Sequence, residues 1–171
     1  MSIKAIVYTS NTGYTAEYAV MLSEKTGIPA YSLENAHENI EHGSDIIYLS
    51  WLMAGGVTEY KKASRLYNIK AVCAVGLCET GSITDDVRRA NKIPDSIAVF
   101  TLQGGYAPEK LRGMNKLLMK LVTRMLVKKI DSNKDKTESD YRMRKILTLG
   151  GSCVTVKNLD EVTTYLHNLA C

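Results

Sequence analysis

The chain reads as an α/β fold: a doubly wound, five-stranded parallel sheet of order 2-1-3-4-5, with helices on both faces and a helical C-terminal extension. Three observations predict it. Short β-branched-rich apolar runs alternate with stretches of helical spacing, the rhythm of a parallel sheet. The first, third and fourth runs are almost wholly apolar, as strands buried on both faces must be. After the fifth run the alternation stops and helical spacing takes over.

The five runs are Ile3–Thr9, Ala30–Leu33, Asp45–Ser50, Lys70–Gly76 and Ser96–Leu102. Between the first two, Tyr14–Lys25 places Tyr18, Met21 and Leu22 on one helical face, and Gly27 stops it. The second run is short and mixed, which suits an edge strand. An acidic stretch, Glu34–Glu41, leads to the third. Glu59–Tyr67 and Thr84–Lys92 supply the next two helices. Right-handed crossovers then set ligand loops at the carboxyl ends of the strands.

Beyond the fifth run, Pro108–Ile130 predicts one long helix and the polar Asp131–Asp140 a solvent loop. Tyr141–Leu149 predicts a helix closed by Gly150-Gly151. The last helix is expected to start at Asn158 as N-cap, with Asp160 and Glu161 in its first turn. We expect one domain over 1–171, with 106–157 a helical insertion before the final helix.

With 171 residues, 45% apolar and 23% charged, the composition is that of a soluble domain with one sizeable core. No apolar run approaches the ~20 residues of a membrane span. The N-terminus passes directly into a strand without the charged lead and apolar stretch of a secretory leader, so a cytoplasmic location is expected. Cys73, Cys78, Cys153 and Cys171 form no Cys-x-x-Cys pair, and His37, His42 and His167 do not cluster with them. That spacing argues against zinc, iron–sulfur and disulfide frameworks, and no metal site is expected. Cys73, inside an apolar run, reads as a core thiol.

The most informative segment is Thr9-Ser10-Asn11-Thr12-Gly13-Tyr14-Thr15, between a buried strand and a helix. It offers the hydroxyls of Thr9, Ser10, Thr12 and Thr15, an amide, a glycine and no cationic side chain. A helix N-terminus presents backbone N–H groups and a partial positive charge. Such a loop can hold a phosphate by hydroxyls and N–H groups alone. Neither the Gly-x-x-x-x-Gly-Lys loop of nucleotide triphosphatases nor the Gly-x-Gly-x-x-Gly dinucleotide fingerprint is present. A terminal monoester phosphate fits better. The plain alternative is a polar turn that merely caps a helix.

This segment resembles the phosphate loop of the flavodoxin family. Ile6, Val7, Tyr8, Ser10, Gly13, Thr15, Ala19 and Leu22 occupy that family's pattern over seventeen positions. The resemblance implies a flavodoxin-like fold and FMN as cofactor, its phosphate on Thr9–Thr15. It implies two loops flanking the flavin ring: Ser50, Trp51, Leu52, Met53, Ala54, Gly55 and Gly56 after the third strand, and Gly76, Leu77, Cys78 and Glu79 after the fourth. Trp51, the only tryptophan, suits stacking on a flat ligand; the alternative is a rim side chain filling the core. The fourth-strand loop lacks the aromatic that many flavodoxins carry. Tyr106, in Gln103-Gly104-Gly105-Tyr106, is the candidate replacement.

The C-terminal part is similar in pattern to the protoporphyrinogen IX dehydrogenase-like branch of that family. Net charge is +4 overall, yet residues 1–60 carry two basic and seven acidic side chains, and residues 61–171 twenty and eleven. Residues 110–129 hold seven basic side chains and no acidic one. Leu111, Met114, Leu117, Leu118, Leu121, Val122, Met125 and Leu126 share one helical face, with Arg112, Lys116, Lys120 and Arg124 opposite. One reading packs that apolar face on the sheet. The other makes the helix a surface for an anionic membrane or an acidic partner, with peripheral membrane association. Nucleic acid is disfavoured, because no aromatics are interleaved with the basic stretch.

The leading expectation is an FMN-binding redox protein that exchanges electrons with a partner protein or a small-molecule donor or acceptor. No side chain is required as acid or base, so no catalytic residue is named. The alternatives are an FMN-dependent oxidoreductase, a dehydrogenase or quinone reductase of the protoporphyrinogen type, and a flavin-free interaction module on the same fold.

Overall fold

The computed structural model describes residues 3–170, without the side chains of Asn115 and Ala170. It contains two compact units, residues 1–104 with 154–171, and residues 105–153.

The first unit is the α/β sheet. Strands β1 (Ala5–Thr9), β2 (Ala30–Ser32), β3 (Asp45–Met53), β5 (Asn68–Gly76) and β6 (Ala98–Gln103) run parallel in the order β2-β1-β3-β5-β6. Counting those five alone, this is the 2-1-3-4-5 order of flavodoxin-like sheets. A two-residue strand, β4 (Gly56–Val57), pairs antiparallel with the end of β3. The short β2 is an edge, as its mixed sequence indicates.

Strand alternation divides the core in two. Ala5, Val7, Ile46, Tyr48, Val72 and Ala74 face one way and pack with Ala63 of α2 (Tyr60–Leu66) and Val87 of α3 (Thr84–Asn91). Ile6, Ile47, Leu49, Ala71, Cys73 and Val75 face the other way. They pack with Tyr18, Ala19 and Leu22 of α1 (Tyr14–Thr26) and with Val162 and Leu166 of α6 (Asp160–Ala170). Helices therefore cover both faces. Cys73 is fully buried, and burial pushes its thiol up from 9.0 to about 12, as an inert core thiol should be.

The end of the chain departs from expectation in one detail. Residues 156–159 form a 3₁₀ turn, and α6 begins after it, at Asp160. Asn158 is thus not the N-cap. Its side chain instead reaches Tyr18, donating to the hydroxyl at 2.6 Å. Asp160 and Glu161 do occupy the first turn.

The second unit holds β7 (Gly105–Tyr106), α4 (Gly113–Ser132), α5 (Glu138–Leu149) and β8 (Gly151–Ser152), with β7 and β8 paired antiparallel. The long helix starts at Gly113, five residues after Pro108. Lys110 N–H turns back to the Ala107 carbonyl, and Arg112 is extended, so the chain is not helical there. The polar loop is also shorter than expected. Asp131 stays helical and takes two bonds from Arg144 of α5, at 2.7 and 3.2 Å. Thr137 and Asp140 form a reciprocal capping box that starts α5 early. Only residues 133–137 connect the helices.

The apolar face of α4 is not packed as one surface. Val122, Leu126, Val127 and Ile130 are half-buried, and α4 packs against α5. Met114, Leu117, Leu118, Leu121 and Met125 stay exposed. Among the described residues no helix is long and apolar enough to cross a membrane.

Candidate functional site

Because β1, β3, β5 and β6 are parallel, their carboxyl ends lie along one edge. Register partners there are Thr9 with Ser50, Trp51 with Val75, and Gly76 with Gln103. The sequence-picked segments of the first unit therefore gather on that edge. Gly105 and Tyr106 fall in the second unit, where Tyr106 is buried in β7.

The β1–α1 loop folds over the start of α1. Gly13 caps the helix at φ +103°, a conformation open to glycine and strained for any side chain. Gly13 has no side chain with which to cap the first N–H groups. Ser10 Oγ accepts a long bond, 3.4 Å, from Ala16 N–H, so its own proton is directed elsewhere. Asn11 and Gly13 are exposed, Ser10, Thr12 and Tyr14 half-buried, and Thr15 buried. The donor set is hydroxyls and backbone N–H groups at a helix N-terminus, and no cation stands in the loop. That chemistry fits a phosphate monoester.

Behind the loop stands a hydrogen-bonded strut that the sequence did not reveal. Tyr48 donates to the Thr58 carbonyl at 2.8 Å, so Thr9 Oγ1, 2.9 Å away, must donate to Tyr48. Ser50 Oγ donates to the same carbonyl at 2.8 Å. Burial raises the Tyr48 phenol above its ordinary value, against the lowering effect of its bonds with Thr9 and Ser50. The only advance signal was a tyrosine in mid-strand amid aliphatic neighbours.

The second segment differs in form from the expected loop. Ser50–Met53 continue β3 as strand, and the turn narrows to Ala54-Gly55, after which β4 pairs back. Ala54 and Gly55 carry φ of +49° and +81°, the two-residue turn whose twist matches a hairpin. Asn91, at the end of α3, clamps it. Its Oδ1 accepts from Val57 N–H at 2.8 Å, and its Nδ2 donates to the carbonyls of Gly55 at 2.9 Å and Val87 at 2.8 Å. Sequence reading missed Asn91, which looks like any polar helix end. Trp51 sits on β3 itself, half-buried, on the same side as Leu49.

The β5 and β6 ends are knitted together. Gln103 Nε2 donates to the Leu77 carbonyl at 3.2 Å, Gln103 N–H to Thr80 Oγ1 at 3.0 Å, and Gly104 N–H to the Gly76 carbonyl at 2.7 Å. A Cβ on Gly104 would stand 2.7 Å from Val75 Cγ1, so close packing of this loop on β5 requires glycine there. Cys78 and Glu79 are exposed. Partial burial of its sulfur still holds the Cys78 thiol above its ordinary value. Among the described residues no group of His, Cys, Asp and Glu could hold a metal ion.

No family model, curated protein or solved structure matches the chain.

Proposed function

We propose that the chain binds FMN at the carboxyl edge of its parallel sheet and exchanges electrons with a redox partner through it. The observation that carries this reading is the β1–α1 loop, a cation-free cradle of hydroxyls and N–H groups. It stands at the β1/β3 switch point, where open sheets of this order take their ligands. The matched phosphate-loop pattern of Ile6 to Leu22 supports it further. FMN, when bound, supplies the electron-transfer chemistry. The chain's own groups then have three tasks. Ser10, Thr12 and the first N–H groups of α1 hold the phosphate. The Asn91-clamped hairpin and the Gly76–Glu79 segment border the ring. The Tyr48 strut keeps loop and hairpin in fixed register. None of these tasks needs an acid or a base.

The test pairs cofactor identification with one substitution. Purified protein should be yellow, with FMN identified by mass. Ser10→Ala should weaken FMN roughly ten- to a hundredfold, since a bond to a charged group contributes about 1.5–3 kcal/mol. Riboflavin, which lacks the phosphate, should bind the variant and the parent alike. Equal losses for both ligands would remove Ser10 from the phosphate site. Colourless protein that takes up no FMN would leave the interaction-module reading.

A further inference from the structure

The exposed apolar stripe of α4 is a feature that the flavin reading leaves unused. Met114, Leu117, Leu118, Leu121 and Met125 are 39–79% exposed. At 100° per residue they fill an arc of about 100° along a helix about 30 Å long. Lys116, Lys120, Arg124 and Lys128 follow one another at four-residue steps, all exposed, as a row that runs up one flank of that stripe and, at Lys128, crosses its end beyond Met125. Lys129 lies on the other flank. The second unit as a whole carries twelve basic and five acidic side chains.

Three occupants could cover such a stripe, and charge decides among them. A second copy of α4 would bring two cation rows together, with no acidic side chain between residues 110 and 129 to offset them. An acidic peptide would satisfy the lysines and leave five apolar side chains to find a partner of their own. An anionic bilayer surface answers both halves at once: apolar side chains enter the acyl boundary while flanking cations stay among the phosphates. We propose that α4 is an interfacial membrane helix. It lies flat on an anionic bilayer, with the Leu117–Leu121 stripe inserted and the Lys116–Lys128 row on the headgroups. This does not depend on the flavin reading.

The test is flotation of the full chain with vesicles of phosphatidylcholine alone and of phosphatidylcholine mixed with phosphatidylglycerol. The mixed vesicles should carry the protein, and raised salt should release it. Reversing Lys120, Arg124 and Lys128 to Glu should lower the affinity roughly a hundredfold or more, at about fivefold for each cation near the surface. Leu117→Glu with Leu121→Glu should abolish binding while the circular dichroism spectrum stays that of the parent. Leu117→Trp gives a readout that disrupts nothing, because its emission should shift to the blue on mixed vesicles relative to the parent, whose only tryptophan is Trp51. The proposal fails if no flotation occurs at low salt, or if neutral vesicles bind equally. It also fails if the double Glu variant still floats, or if the emission of the Leu117→Trp variant is unmoved on vesicles that carry the protein. A solution dimer dissolved by the double Glu variant would assign the stripe to a second copy. Binding of polyglutamate without binding of vesicles would assign it to an acidic partner. Either result overturns the membrane assignment.

Discussion

Ala54 holds a backbone conformation that a Cβ resists, at φ +49° in a turn that favours Asn-Gly. Ala54→Asn should therefore stabilise the protein by about 1 kcal/mol, read as a higher denaturant midpoint at unchanged slope. Two buried acids make a second residue-scale prediction. Tyr48 and Cys73 have pKa values raised by burial. Each favours the fold fully below its unfolded value, 10.0 for the phenol and 9.0 for the thiol, and that contribution is lost as pH climbs toward the folded value. The unfolded chain releases these protons first, so stability must fall with rising pH. Denaturant midpoints should be flat through neutrality and decline above about pH 9, where free thiols begin to ionise. A midpoint that rises there would contradict the burial of both groups.

At the scale of elements, the hairpin of β3 and β4 depends on a side chain from α3. Asn91→Ala would strip the bond from Val57 N–H, which is buried, and so cost about 1–3 kcal/mol. Because the hairpin borders the ring in our proposal and not the phosphate, FMN and riboflavin should weaken together in this variant, opposite to the Ser10→Ala pattern. Asn91→Asp keeps the acceptor for Val57 and loses the donor for Gly55, so it should fall between parent and Asn91→Ala. The same elements show what the sequence could and could not reveal. Short apolar, β-branched-rich runs located the four longer strands β1, β3, β5 and β6, because burial leaves a strong signature, whereas the short edge strand β2 was found from its place in the alternation. The β1–α1 segment was legible for a similar reason, since its chemistry is contiguous. The clamp was not legible, because Asn91 stands 36 residues from Gly55 and its role exists only once the sheet is assembled. Nor was the split of α4, because helical spacing shows which side chains share a face and not whether anything covers it.

Among the described residues, both core clusters are built from side chains of the first unit. The ends of the second unit are paired, Gly105 with Ser152 and Tyr106 with Gly151. Such partners stand about 4.5–5.5 Å apart. Replacing residues 107–150 by a two-residue turn should therefore leave a folded α/β unit, seen as a cooperative unfolding transition. In our proposals the shortened protein keeps its FMN affinity within a few fold and no longer floats with anionic vesicles. A shortened chain without a cooperative transition would show that the first unit needs the second to fold.

The position of α6 has a consequence for biosynthesis. Leu159, Val162 and Leu166 finish the core on the α1 side of the sheet, yet they are translated only after the whole second unit. The second unit, residues 105–153, emerges between β6 and that closing helix. At about 5–20 residues per second, synthesis of that segment lasts several seconds, long compared with strand and helix formation. A nascent sheet thus waits on the ribosome with part of one apolar face uncovered. During that interval it is a natural client for chaperones that shield apolar surface.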